Sequence, residues 1–169
     1  EQAFTTSVIT VGKKGNDFMV RAGQNVTQHF PGFGDHPQIA DCFQITAMIS
    51  QLYADGEIDS VHLAYTKFVN TLIQEPIVAQ LLPIVQTSSS DNLSKSSNYE
   101  YEPDASTVLN MLLPKFLEAQ VFQAILESNA SEQSARMVAM RNATDAAEEM
   151  VDNLTLELNK ARQAMITAE

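Results

Sequence analysis

The chain has 169 residues, with 10 Lys and Arg against 21 Asp and Glu, for a formal net charge of -11. That length bounds it to one domain, or one domain with an appendage, and the acidic balance excludes a general nucleic-acid binder, because neutralising phosphates takes a basic face. One cysteine, Cys42, excludes a disulfide framework within the chain and a multi-cysteine zinc site, and hydrophobic residues at 44% exclude general disorder.

No apolar run approaches the roughly 18–20 residues of a membrane span, and the opening Glu1-Gln2-Ala3-Phe4 is no signal peptide. The sequence starts without Met and enters a strand-like run at once. It reads as a soluble piece of something larger.

Ser7-Val8-Ile9-Thr10-Val11-Gly12 is short, β-branched and closed by glycine, the pattern of a buried strand. Lys13-Lys14-Gly15-Asn16 predicts a turn, Asp17-Phe18-Met19-Val20 a short return strand, and Val26 to Phe30 another extended piece. Pro31-Gly32-Phe33-Gly34-Asp35-His36-Pro37 is a loop. Gln38 to Asp55 predicts a helix: Ile39, Cys42, Phe43, Ile49, Leu52 and Tyr53 recur at helical spacing, Pro37 suits a first position and Gly56 the stop. Val61, Leu63 and Tyr65 then alternate as a strand does, and Pro76 to Ile84 forms another apolar run. Strand, helix, strand in that order predicts an α/β layer domain over residues 1–86.

Residues 87–104 change character, with Ser88, Ser89, Ser90, Ser94, Ser96 and Ser97 among Asp, Asn and Lys, a flexible loop and lead-in. From 105 to 169 the chain reads as one long helix without glycine. Pro114 is its only proline, which predicts a kink or a restart there. Met137, Met140, Thr144, Ala147, Val151, Leu154, Leu158, Ala161 and Met165 alternate steps of three and four. These are the a and d positions of a coiled coil, with a shaft from about residue 130. A helix from Lys115 to Glu169 would reach on the order of 80 Å and must project. It needs a partner helix of matching length, and nothing else in the chain supplies one.

Few residues offer chemistry. Gly12-Lys13-Lys14-Gly15 lacks the spacing and terminal Lys-Ser/Thr of a phosphate-binding loop. His29, His36 and His62 lie on three elements with no paired spacing for a metal. Cys42 sits on the apolar face of its helix, as a core residue does.

Against this background one stretch is specific. Ala130-Ser131-Glu132-Gln133-Ser134-Ala135-Arg136-Met137-Val138-Ala139-Met140-Arg141-Asn142-Ala143-Thr144-Asp145, followed by Asn159-Lys160-Ala161-Arg162-Gln163-Ala164-Met165-Ile166-Thr167, resembles the C-terminal signature of the gamma subunit of F-type ATP synthase, the central-stalk rotor. Tyr101-Glu102-Pro103-Asp104, Leu112-Leu113-Pro114-Lys115-Phe116-Leu117-Glu118-Ala119-Gln120, Lys67-Phe68-Val69-Asn70-Thr71 and Gln80-Leu81-Leu82-Pro83 resemble the same family in order. Departures are Ser134 and Ala146, where that family usually has Ala and Asn, Arg141 for Lys, and Leu158 where Tyr is common. The family's N-terminal helix and its Gly-Leu-Cys-Gly-Gly-Leu-Asn-like stretch have no counterpart, so the resemblance covers its later two-thirds.

The resemblance implies a three-layer α/β/α mixed-sheet domain, incomplete here, with a long C-terminal helix belonging to an antiparallel coiled coil. It implies a non-catalytic rotor that couples proton flow to ATP synthesis or hydrolysis, with no cofactor in this chain and ATP, ADP and Mg²⁺ held by partner subunits. It implies as partners the alpha and beta subunits of the catalytic ring, the epsilon subunit and the membrane c-ring, with no nucleic acid and no direct membrane insertion. The place it implies is the cytoplasmic face of the bacterial plasma membrane. By resemblance Lys160, Arg162, Gln163 and Thr167 face loops of the catalytic ring, and Tyr101 and Glu102 lie toward epsilon and the membrane ring. Two rival readings stand beside it: an α/β ligand-binding domain with a coiled-coil dimerisation arm, and a plain coiled-coil adaptor.

Overall fold

The computed structural model describes residues 5–84, 102 and 104–168, in two compact units. The first comprises Glu1–Val61 with Gln80–Gln123, and the second His62–Ala79 with Ala124–Glu169.

In the first unit, β1 (Ser7–Val11), α1 (Lys13–Arg21) and β2 (Asn25–Phe30) form a strand–helix–strand crossover. The strands run parallel, from Ser7 opposite Asn25 to Val11 opposite Phe30, with a register shift between Val8 and Ile9. Here the turn expected at Lys13–Asn16 and the return strand at Asp17–Val20 are both corrected: these residues are helical. A parallel pair cannot be closed by a tight turn, so the connection must cross over the sheet, and the helix supplies that crossover. Gly12, at φ 92°, makes the sharp exit from β1 that a side chain would resist. Thr10, itself buried, donates its hydroxyl to Asn16 Oδ1 at 3.3 Å, and its Oγ1 lies 3.1 Å from His29 Nδ1.

α2 spans Ile39–Ala54. Its start is set by a capping box, with the Gln38 N–H donating to Asp41 Oδ2 at 2.8 Å. Pro37 therefore precedes the cap and is not the first helical residue. Gly56 ends the helix as expected: its N–H reaches the Tyr53 carbonyl and the Glu57 N–H that of Leu52, a Schellman closure. Cys42, Ile45 and Ile49 face the core with Phe30, Leu81, Leu82, Leu117 and Val121. Burial, with smaller contributions from the charges of Asp41 and Glu118, pushes the Cys42 thiol up. Glu118 is itself buried and held by Lys115 at 2.9 Å.

β3 (Val61–Phe68) and β4 (Gln74–Leu82), which belong to the second unit except for Val61 and residues 80–82, pair with each other and are joined by residues 69–73. So short a link permits only an antiparallel hairpin. The Asn70 side chain shapes the turn, its Oδ1 accepting from the Leu72 and Ile73 amides at 2.9 and 2.8 Å. Among the described residues the strands form two separate pairs, β1–β2 and β3–β4.

The last element is α3 (Ala105–Thr167), 63 residues that run through Pro114 without restarting. Asp104 starts it: Oδ1 accepts from the Ser106 hydroxyl at 2.6 Å and the Thr107 amide at 2.8 Å, and Oδ2 from the Thr107 hydroxyl at 2.8 Å. These bonds hold the Asp104 carboxyl at about 2, well below its ordinary value. The Ser-rich stretch lies outside the described residues.

Candidate functional site

Helix α3 has two contrasting surfaces. Leu117, Val121, Ala124, Ser128, Ser131 and Ser134 recur at three- and four-residue steps, and all but the half-buried Ser128 are buried. Every member of the seam read from sequence, from Met137 to Met165, is exposed, and residues 139–168 are exposed on all sides. Large apolar groups are among them, including Met140, Val151, Leu154, Leu158 and Met165. Such a helix, apolar along one face that none of the described residues covers, has the surface of an interface.

The seam is longer than residues 130 onward. Counting back in the same heptad register gives Leu109, Leu112, Phe116, Ala119, Gln123, Leu126, Ala130 and Gln133, all exposed. The full register from Leu109 to Met165 covers about eight heptads, with Gln123, Gln133 and Thr144 as its polar members. The signal was available as the same alternation of threes and fours. It was hidden because residues 117–134 carry a second apolar and small-residue stripe on another face.

On a helix each residue turns roughly 100° from the last. Lys160, Gln163 and Thr167 therefore share one face, on the outer side at heptad positions c, f and c. Arg162 falls at position e, at least about 100° around from each of the other three, flanking the seam. The four residues expected to act together are thus two groups. The Thr167 hydroxyl is spent inside the helix, donating to the Gln163 carbonyl at 2.9 Å and the Ala164 carbonyl at 3.2 Å. Arg136, lower on the helix, pairs with Glu132 at 2.7 Å and reaches Gln133 Oε1 at 3.1 Å. It is a solvated ion pair of the kind that contributes little.

Charge along the exposed helix is banded. Asp145, Glu148, Glu149, Asp152 and Glu157 form an acidic middle, with Arg136 and Arg141 before it and Lys160 and Arg162 after. Glu102 is exposed, and Tyr101 lies outside the described residues. The stretch Lys13–Gly15 opens α1. Among the described residues no group of His, Cys, Asp and Glu is placed to hold a metal ion. Also among them, no helix is long and apolar enough to cross a membrane.

An exposed eight-heptad seam with polar groups at its far end is the surface of an assembly element. The family model for ATP synthase matches residues 1–169, the whole chain. The ATP synthase gamma chain of Dehalococcoides mccartyi strain CBDB1 is 51% identical over 171 residues. The chain belongs to the ATP synthase gamma-chain family. The gamma chains of a Roseiflexus species and of Chloroflexus aurantiacus are 47% and 44% identical. The chain spans 59% of the length of the Dehalococcoides relative and 58% of the Roseiflexus one.

Solved structures agree on the fold. A chain of the Euglena gracilis mitochondrial ATP synthase, in its OSCP, F1 and c-ring assembly, superposes with a TM-score of 0.62 over 99% of this chain and 60% of its own, at 19% identity. A chain of the Tetrahymena thermophila mitochondrial ATP synthase central stalk and c-ring gives 0.60 over 81% of this chain and 60% of its own, at 22% identity. The gamma-chain family thus accounts for a mixed α/β chain ending in a long helix.

Proposed function

We propose that the chain works as the rotor of a proton-translocating F-type ATP synthase, passing rotation of the membrane c-ring to the catalytic ring of alpha and beta subunits. The observation that carries this is the exposed seam of α3 in a chain of the gamma-chain family: a long apolar face that none of the described residues covers. The seam is half of an antiparallel coiled coil, and the two strand pairs belong to a larger three-layer α/β/α domain.

The residues present suit a mechanical role. A coiled coil is stiff, and stiffness is what a shaft needs. Direction is supplied by an uneven surface, so that each angle presses differently on what surrounds it. Arg162, beside the seam, forks two hydrogen bonds to a carboxylate of a catalytic-ring loop. Lys160, Gln163 and Thr167 present a separate polar face to the same ring. Tyr101 and Glu102 lie toward epsilon and the c-ring. Catalysis, nucleotide and Mg²⁺ belong to the partner subunits, and this chain holds no cofactor and no catalytic site of its own. The complex sits on the membrane at the cytoplasmic face of a bacterial cell, with this chain peripheral to the bilayer.

The test is to tag the full-length protein, purify it gently from membranes and identify by mass spectrometry what comes with it. Catalytic-ring subunits, epsilon and c-ring in fixed proportion are expected. Recovery of the protein alone, or only with itself, from intact membranes would overturn the proposal.

A further inference from the structure

Between the β3–β4 hairpin and α3 lies a row of three serines, Ser128, Ser131 and Ser134, one every three residues along the helix. The Thr66 amide of β3 donates to Ser128 Oγ at 3.4 Å, and Ser131 Oγ donates back to the Thr66 carbonyl at 3.3 Å. One turn further on, Ser134 Oγ donates to the Thr71 carbonyl, in the hairpin connection, at 3.0 Å. Ser131 and Ser134 are 4% and 8% exposed, so these hydroxyls work out of reach of bulk water.

Both backbone groups of Thr66 point to one edge of β3, the edge that β4 does not occupy. A bare strand edge normally finds another strand or water. Here two hydroxyls on a helix satisfy one residue's amide and carbonyl together. An apolar contact is non-directional and tolerates sliding, whereas these bonds each require a particular atom in a particular direction. Moving the hairpin by one serine along α3 would strand buried hydroxyls and carbonyls without partners.

We propose that Ser128, Ser131 and Ser134 are positioning residues that fix the register of the hairpin on α3, so that a force on the hairpin turns the helix without slip. This rests on the rotor function proposed above.

The test uses the full-length subunit in the assembled complex, reconstituted in vesicles. Ser131→Ala with Ser134→Ala is expected to leave ATP hydrolysis within about two-fold and to lower proton pumping per ATP hydrolysed by about three-fold or more; returning Ser134 alone recovers part of the loss. A fold defect would lower both activities together, and that result overturns the positioning role. Amide exchange in the purified subunit checks the geometry: Ser128→Ala should speed exchange at Thr66 by about ten-fold while amides paired between β3 and β4 stay protected. An unchanged Thr66 rate overturns the seat. Faster exchange with an unchanged pumping-to-hydrolysis ratio overturns the transmission role. Complexes that pump equally well without this subunit would sink the rotor function, and transmission with it, while leaving the exchange result standing.

Discussion

Leu117 and Leu154 are the same residue on the same helix, and they live in different circumstances. Leu117 is 5% exposed and packs in the core of the first unit; Leu154 is 58% exposed, on a seam that no described residue covers. Backbone hydrogen bonding along α3 is the same at both. What differs is whether the apolar face has met its complement, and that difference shows where the energy of a long helix comes from. Local propensity favours helix over residues 139–167, since glycine and proline are absent, but packing is what fixes a helix in place. In the proposed rotor the exposed half is the surface that meets another helix.

The hardest blow to that comparison is a pair of charges on the seam. Leu154→Asp with Leu158→Asp should cut recovery of the protein in the assembled complex by more than ten-fold, because two carboxylates would be buried without partners. In the chain by itself the same pair should move the melting midpoint very little, since both sites are exposed there. Equal damage to the isolated chain and to the assembly would mean the seam is not an interface.

Alanine at each leucine sharpens the contrast. Leu117→Ala should cost about 2–4 kcal/mol in urea unfolding of the chain, the usual range for a buried leucine whose cavity cannot fully collapse. Leu154→Ala should cost less than about 0.5 kcal/mol in the same experiment. A cost at Leu154 approaching that at Leu117 would show that the seam folds back on its own chain.

Smaller effects are expected at the helix end. Because Arg162 flanks the seam and Gln163 faces away from it, their alanine variants should fail differently in the full-length complex. Arg162→Ala should lower coupled ATP turnover several-fold and make it less sensitive to salt, as losing a charge-assisted pair does. Gln163→Ala should lower turnover by less, with its salt response unchanged. If the double variant leaves coupled turnover untouched, the assignment of this end to the catalytic ring fails.

Much of this was legible in the sequence, and the parts that were not share a cause. β1, β2, α2 and β3 carry short-range signals: β-branched runs, three-and-four spacing, a glycine stop at Gly56. The seam from Met137 is likewise a pattern that one helix writes by itself. α1 escaped because Lys13-Lys14-Gly15-Asn16 has turn composition, while the need for a crossover between parallel strands is a long-range demand. The earlier seam from Leu109 escaped because a second stripe overlaps it over residues 117–134, and periodicity alone does not separate superposed faces. The serine row left no sign at all: its meaning depends on the edge of β3, more than fifty residues away in sequence. The split of Arg162 from Lys160, Gln163 and Thr167 was available from helical angles alone. Reading the motif as one block concealed it.

The gentlest prediction concerns the first turn of α3. Two hydroxyls and an amide hold the Asp104 carboxylate, so its folded value of about 2 lies below the 3.8 it would otherwise have. A depressed folded value means the cap contributes fully above about pH 4 and is lost as pH falls from there through about 2. The start of α3 should therefore fray over that acid window while the rest of the helix holds. The Thr107 amide, which donates to Asp104, is the reporter to follow by NMR. Asp104→Asn keeps an acceptor at the cap and removes the titration, so the reporter should go flat with pH. A step that survives in Asp104→Asn would belong to another carboxylate, and the helix would then owe its starting point to the preceding chain and not to its cap.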